Sequence, residues 1–147
     1  MSAAPQPQRA TAPAVLGVNH VALTVRNLDV SGPWYTALLG QEPDLDERSG
    51  AGFRHLVWVF DDGTAFGIHQ HDRTTPDEVF SELHVGLDHA GFGCADRRHL
   101  DAWVSRLDDL GISHAGVVDA DYGSVLSFRD PDGIALEVFA PPTGSSD

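Results

Sequence analysis

The sequence predicts an α+β fold built from two copies of one small module, each consisting of a strand, a helix and three further strands. The main indication is a repeat. Val18-Asn19-His20-Val21 returns as Leu87-Asp88-His89-Ala90, an offset of 69 residues that also relates Trp34 to Trp103. Each copy ends with an acidic turn that leads into a short strand, at Asp61-Asp62-Gly63 and at Asp130-Pro131-Asp132-Gly133. A module of this size cannot bury its own sheet face, so we expect the two modules to pack together.

Module one is predicted to span residues 17–70. Its first strand, residues 17–25, alternates apolar with smaller or polar residues. Ser31, Gly32 and Pro33 are expected to open a helix that ends at Gly40, because glycine tolerates the backbone conformation at a helix C-terminus. Three strands follow at residues 45–48, 53–60 and 64–69, and the acidic turn joins the last two as a hairpin.

Module two, residues 87–140, repeats this order after a polar connector. The connector, residues 70–86, contains Pro76 and shows no sustained hydrophobic period. A strand at 87–94 precedes a helix at 97–110, in which Leu100, Trp103 and Leu107 recur at helical spacing. Strands are predicted at 114–118, 124–128 and 134–139. The two modules form one predicted domain, residues 17–140, and we expect disordered tails at residues 1–16 and 141–147.

Composition restricts the partners of the chain. Hydrophobic residues make up 41% of the 147, enough for a sizeable core in one domain. The formal charge of −13 would repel phosphate backbones and anionic lipid surfaces, so neither nucleic acid nor a membrane is an expected partner. No apolar run approaches the roughly 20 residues that cross a bilayer. Cys94 is the single cysteine and cannot form an internal disulfide, which favours the reducing cytoplasm.

Four potential metal ligands lie on predicted strands, His20 and His69 in module one and His89 and Glu137 in module two. We expect them to occupy two pairs of equivalent places, because His69 follows His20 by 49 residues and Glu137 follows His89 by 48. Alternate side chains of a strand share a face, and the neighbours on the ligands' face are small. These neighbours are Ala22, Thr24, Ala65, Gly67, Gly91, Gly93 and Ala135. The opposite face carries Val21, Leu23, Val25, Phe66, Ile68, Phe92, Leu136 and Val138. We therefore expect a packed core on one face and a cavity with a polar floor on the other.

Glu137 makes metal binding the favoured interpretation of this set. A lone histidine is more often a hydrogen-bonded structural residue, but an ionised carboxylate between Leu136 and Val138 is costly unless it is paired or bound to a metal. No cation lies within its strand. Imidazole and carboxylate together suit divalent Fe, Mn, Co, Ni or Zn. Four other histidines are expected to be surface or structural residues: His55, His84, His99 and His114.

These features resemble the vicinal oxygen chelate superfamily, which includes glyoxalase I, extradiol dioxygenases, fosfomycin-modifying enzymes, methylmalonyl-CoA epimerase and bleomycin-binding proteins. The resemblance covers about residues 17–140 and is carried by the paired modules, by Asn19-His20-Val21 and Asp88-His89-Ala90, and by the segment from Phe128 to Glu137. It implies a cupped, barrel-like mixed sheet with the helices outside. His20, His89 and Glu137 match the family's usual first, third and fourth metal ligands.

The remaining candidates are less specific. The resemblance gives His69 two possible roles, a fourth metal ligand or a catalytic acid or base, and it makes Glu137 a catalytic residue as well as a ligand. Bacterial glyoxalase I usually carries a carboxylate at the place of His69, so a histidine there argues against that activity. His71, Tyr122 and Arg129 are candidate substrate contacts, and for each the alternative is a solvated or structural residue.

The expected function is that of a metal-dependent enzyme whose substrate chelates the ion through two adjacent oxygens. Lyase, isomerase and dioxygenase chemistry all stay open, since this superfamily hosts several reactions on one scaffold. The alternative is a protein of the bleomycin-binding type that sequesters a toxic compound without chemistry. The partner is a small molecule in either case. A homodimer is also expected, in which exchanged modules could complete the ligand set across two chains.

Overall fold

The computed structural model describes residues 13–143. The elements of module one are β1 (His20–Thr24), α1 (Leu28–Leu39), β2 (Leu45–Ser49), β3 (Phe53–Val59) and β4 (Ala65–His71). Those of module two are β5 (Ala90–Gly93), α2 (Arg97–Asp109), β6 (His114–Ala120), β7 (Gly123–Arg129) and β8 (Ala135–Ala140). The predicted tails lie largely outside the described residues. Neither helix within residues 13–143 is long and apolar enough to cross a membrane.

Each module forms its own four-stranded mixed sheet. The strand orders are β1-β4-β3-β2 and β5-β8-β7-β6, and in each sheet the first pair is parallel and the other two are antiparallel. The predicted α+β class and the two βαβββ modules are therefore confirmed. Within one chain, however, the two sheets stay separate and do not close into a barrel.

Helix α1 begins three residues before the predicted start because of a capping residue. The Asn27 side chain accepts a hydrogen bond from the Asp29 backbone N–H, which satisfies a donor at the first turn. Pro33 therefore lies inside the helix and does not open it. The predicted end is confirmed, since Gly40 has the left-handed φ of 71° that suits glycine at this position.

The apolar faces of both sheets pack into one core. Leu23, Ile68 and Leu136 are at most 3% exposed, as the alternating pattern predicted. The modules meet in this core through aromatic rings: Phe92 of module two lies 5.1 Å from Phe66 of module one, measured between ring centroids. Dense packing at this junction holds the helix-covered faces together and leaves the opposite face of each sheet unpaired.

Two polar contacts fix the relative orientation of the modules. Arg26 donates to Asp132 from its backbone N–H and from Nε, at 2.9 and 2.8 Å. The buried Tyr35 hydroxyl donates to Asp130 Oδ2 at 2.8 Å. Burial raises the pKa of Asp130, while its Oδ1 accepts the backbone N–H groups of Asp132 and Ile134. Removal of either side chain of the buried pair would leave the other without its partner.

Candidate metal centre

His89 and Glu137 form a preassembled pair on the open face of module two. His89 Nε2 lies 3.3 Å from Glu137 Oε1. On the other side of the ring, His89 Nδ1 lies 2.6 Å from Asp88 Oδ1, and an ionised carboxylate only accepts, so Nδ1 carries the proton. The bond to Asp88, together with the charge of Glu137, raises the pKa of His89. Nε2 is thereby turned toward Glu137. Without a metal, a proton on Nε2 completes this contact, and a bound metal would take the place of that proton.

Gly91 makes room for the Glu137 carboxylate. It lies directly opposite Glu137 in the parallel β5–β8 pair. A Cβ atom at this position would approach Glu137 Cγ and Oε1 to 3.3 Å. Carbon atoms pack best at about 3.5–4.0 Å, so a methyl group here would require the Glu137 side chain to shift slightly.

His20 is held on module one in the same way as His89. It is the first residue of β1, and its Nδ1 lies 2.9 Å from Asn19 Oδ1. The repeated Asx-His pair therefore has a structural role: the residue before each histidine binds Nδ1 and leaves Nε2 for a second partner. A carboxylate or carbonyl oxygen that orients an imidazole through its second nitrogen is typical of metal-bound histidine.

The expected equivalence of His69 and Glu137 is wrong. Glu137 pairs with Gly91, and the 69-residue repeat makes Gly91 the counterpart of Ala22. Ala22 pairs with Gly67, while His69 pairs with Thr24, two residues further along β4. His69 is thus displaced by about 7 Å along the strand from the place that Glu137 occupies. Spacing along the chain could not reveal this, since it does not fix which residues of a parallel pair lie opposite each other.

His69 lies instead in a cluster of rings that includes His55, which was expected to be a surface or structural residue. In the β3–β4 hairpin His55 pairs with His69 and Phe53 pairs with His71. The His69 ring is 4.8 Å from His55 and 4.9 Å from Phe53, between centroids, and it stacks on Phe53. Burial, with the nearby imidazoles of His55, His71 and His20, lowers the pKa of His69, which favours its neutral form. We call Phe53, His55, His69 and His71 the aromatic shelf.

The predicted substrate contacts differ in their surroundings. Arg129 pairs with Ala135 and lies on the same face as Glu137, but its guanidinium is bound by Glu82 at 2.6 Å. That hydrogen bond lowers the pKa of Glu82 to about 2. His71 is exposed at the end of β4. Tyr122 lies in the turn between β6 and β7, 70% exposed, at the opposite end of β7 from Arg129.

Within residues 13–143, no three His, Cys, Asp or Glu side chains come together in a group that could hold a metal ion. The predicted ligands lie in two half-sites, one with His20 and one with His89 and Glu137. Both face solvent: His20 is exposed, and the side chains of His89 and Glu137 are 48% and 21% exposed. A groove of about 900 Å³ adjoins the second half-site and is lined in part by Ser127, Arg129 and Ala135.

Comparison with known proteins gives this arrangement its context. Residues 17–138 match the Glyoxalase/Bleomycin resistance protein/Dioxygenase superfamily. The chain belongs to this superfamily. A glyoxylase/bleomycin resistance protein/dioxygenase domain from Frankia sp. EAN1pec is 34% identical, with a TM-score of 0.79, over 89% of this chain and 96% of that one. No curated protein sequence matches the chain.

Solved structures with lower sequence identity share the fold. A glyoxalase family protein from Enterococcus faecalis is 22% identical, with a TM-score of 0.68, over 84% of this chain and 97% of that one. A variant of the fosfomycin resistance protein FosX from Listeria monocytogenes, complexed with Mn(II) and 1S,2S-dihydroxypropylphosphonic acid, is 16% identical. Its TM-score is 0.64, over 88% of this chain and 96% of that one.

Proposed function

We propose that the protein is a divalent-metal-dependent enzyme whose substrate chelates the ion through two adjacent oxygens. The observation that carries this proposal is the repeated orientation of His20 and His89, each held through Nδ1 by the preceding residue, with Glu137 3.3 Å from His89 Nε2. Imidazole nitrogen and carboxylate oxygen suit Fe, Mn, Co, Ni or Zn in the divalent state. The Mn(II) complex of FosX, a member with the same fold, supports divalent metal use in the superfamily.

The complete site is proposed to form between two copies of the chain. One chain brings at most two of the ligands together, so His20 of one copy would join His89 and Glu137 of the other. This arrangement would give a homodimer with two sites, each open to a small molecule from the unpaired sheet faces.

Two exposed segments support a second copy as the missing partner. They are the segments that lead into the two histidines, and they are counterparts in the 69-residue repeat: Leu16-Gly17-Val18-Asn19-His20 and Val85-Gly86-Leu87-Asp88-His89. Leu16 is 99% exposed, and its counterpart Val85 is fully exposed. Gly17 and Gly86 have φ values of 127° and 145°, which favour glycine. Apolar side chains presented beside both half-sites are best explained by burial against another copy.

The proposed roles follow from the surroundings of each residue. His20, His89 and Glu137 would hold the metal, which supplies a Lewis acid that stabilises negative charge developing on the substrate oxygens. Asn19 and Asp88 orient the two imidazoles. His69 is displaced from the ligand position and kept neutral by its surroundings, so we assign it the acid–base role, with proton transfer at a ring nitrogen.

The other predicted contacts have lesser proposed roles. His71 and Arg129 lie on the open faces, where they can contact the substrate, whereas Tyr122 lies at the far end of its hairpin and is left to solvent. The half-buried thiol of Cys94, whose pKa is raised by burial, fits a reducing compartment such as the cytoplasm.

A sequestering protein without chemistry is the second candidate, and one observation favours it. The Glu137 carboxylate already has a partner in His89, so the pair can persist as a hydrogen-bonded ion pair that needs no metal. In that case the open faces would still bind a small molecule, which a denatured extract would return unchanged.

Elemental analysis separates the two candidates. The protein purified without added metal or chelator is compared with the Glu137→Ala variant and with Glu42→Ala, which removes an exposed carboxylate outside the half-sites. We expect about one first-row metal ion per chain in the parent and in Glu42→Ala, and loss of the metal in Glu137→Ala. Absence of metal, with no uptake from supplied divalent ions, would contradict the enzyme and favour sequestration.

A further inference from the structure

We infer that the substrate of this site is a planar aromatic compound, with its ring against the aromatic shelf and its two adjacent oxygens toward the metal ligands. This inference rests on the proposed metal site and names the substrate class of that site. It is carried by the ring cluster on β3 and β4, which lies on the same open face as His20.

The shelf presents rings at stacking distance from one another. Phe53 stacks on His69 with an interplanar angle of 27° and lies 5.4 Å from His71, between centroids. His55 meets the edges of both Phe53 and His69, at 5.3 and 4.8 Å. Offset-stacked and edge-to-face contacts of this kind are favourable for aromatic rings, and a further ring can join them without breaking a hydrogen bond. The shelf is therefore suited to a flat ligand.

On β1 and β4, only small residues lie between the shelf and the metal-binding end of the sheet. Gly67 lies two residues before His69 along β4, opposite Ala22, on the face that His20 shares. A Cβ atom at Gly67 would make ordinary contacts of 3.5–3.7 Å with Leu56, Val57 and Ala22, so the fold itself does not require glycine here. Gly67 is buried and forms no cavity, but neither it nor Ala22 places a bulky side chain on the route from His20 to the shelf.

The strands that carry the shelf and the second half-site offer no free arginine or lysine to a phosphorylated or phosphonate substrate, and Arg73 lies beyond the end of β4. The one cationic residue on β1, β3 and β4 is Arg54, which lies on the opposite face and pairs with Asp46 and Asp29. On the face of module two, Arg129 is neutralised by Glu82. A doubly charged group would therefore meet no free cation on these strands, whereas the face of an uncharged ring needs none.

The test uses three small molecules that share one chelating group, a hydroxamic acid, and differ in the group attached to it, which we call the carrier. Binding of benzohydroxamic acid, cyclohexanecarbohydroxamic acid and phosphonoacetohydroxamic acid is measured by isothermal titration calorimetry on the full chain loaded with Zn(II). All three present the same two adjacent oxygens, so differences in affinity report on the carrier. We expect benzohydroxamic acid to bind about fivefold tighter than the cyclohexane analogue of similar size. The phosphonate should bind weakest.

Three variants test whether the preference for the aromatic probe arises at the aromatic shelf. Phe53→Leu keeps an apolar side chain and should remove the advantage of the aromatic probe, and Gly67→Val should weaken all three probes by filling the route to the shelf. Ala102→Val, on the exposed side of α2, adds comparable bulk away from the sheets and should change nothing. All three variants should retain Zn(II).

The outcomes separate this inference from the proposed function. Equal affinities for the aromatic and cyclohexane probes, an unaltered preference in Phe53→Leu, or tightest binding of the phosphonate would each overturn the aromatic substrate while the metal site stands. Failure of the parent protein to bind Zn(II) would instead refute the proposed function, and this inference with it.

Discussion

Substitution of Gly91 by alanine should separate metal binding from folding. Gly91 does not have a positive φ, so alanine fits its backbone and contributes about 0.4–1 kcal/mol through the unfolded state, which offsets the cost of moving Glu137. The new methyl group would lie 3.3 Å from Glu137 Cγ and Oε1, closer than carbon atoms pack. Glu137 must therefore shift slightly, which changes its position relative to His89. Disturbed ligand orientation typically costs about 10–100-fold in metal affinity, and for so small a shift we expect the lower end, about 10-fold.

Gly93→Ala is the matched control for this experiment. Gly93 is also on β5 and on the same face, but a Cβ atom there would meet nothing within 4 Å. Its alanine variant should gain similar stability and bind metal as the parent does. Metal affinity is measured by competition with a chromophoric chelator, and stability by urea denaturation. Equal metal affinity in Gly91→Ala and Gly93→Ala would contradict a site that depends on the present position of the Glu137 carboxylate.

Three other predictions test the packing and the orientation of the ligands. Tyr35→Phe should cost about 1.5–3 kcal/mol in urea denaturation, because the buried Asp130 carboxylate loses its hydroxyl donor, while the exposed Tyr122→Phe should change stability by less than about 0.5 kcal/mol. The raised pKa of Asp130 means that the folded state binds its proton more tightly than the unfolded state. Proton binding at Asp130 should thus contribute fully to the free energy of unfolding below pH 3.8, the ordinary pKa of the group, and this contribution should decline as the pH rises through the raised pKa. Asp130→Asn should abolish this trend in denaturation curves taken across that range. Asp88→Ala frees His89 Nδ1 and should weaken metal binding about 10-fold or more without unfolding the protein, and unchanged affinity would show that the orienting bond is dispensable.

Much of the fold followed from periodicity and from the repeat. The alternation of apolar with small or polar residues correctly identified the buried faces that carry Leu23, Ile68 and Leu136, because successive side chains of a strand point to opposite faces of the sheet. The start of α1 was missed because Ser31, Gly32 and Pro33 were expected to open the helix, whereas the side chain of Asn27 caps it three residues earlier.

The candidate site depended on strand register, which the sequence specifies less directly. His55 was expected to be a surface or structural residue, yet the hairpin turn contains a usable signal for its position. Phe60 donates its backbone N–H to Thr64 across the acidic turn, and continuing that pairing places His55 opposite His69. The offset of the parallel β1–β4 pair has no such local determinant, so the sequence could not show that Gly67, and not His69, matches Glu137.

Complementation between two inactive variants tests the central claim, that one metal site takes ligands from two chains. His20→Ala damages one half-site and Glu137→Ala the other, so each variant alone should bind little metal. When the two are coexpressed with different affinity tags and the mixed dimer is isolated, one of its two sites combines an intact His20 with an intact His89 and Glu137. We predict about one metal ion per mixed dimer by elemental analysis. A metal-free mixed dimer, or a metal-bound parent protein that sediments as a monomer, would contradict the shared site.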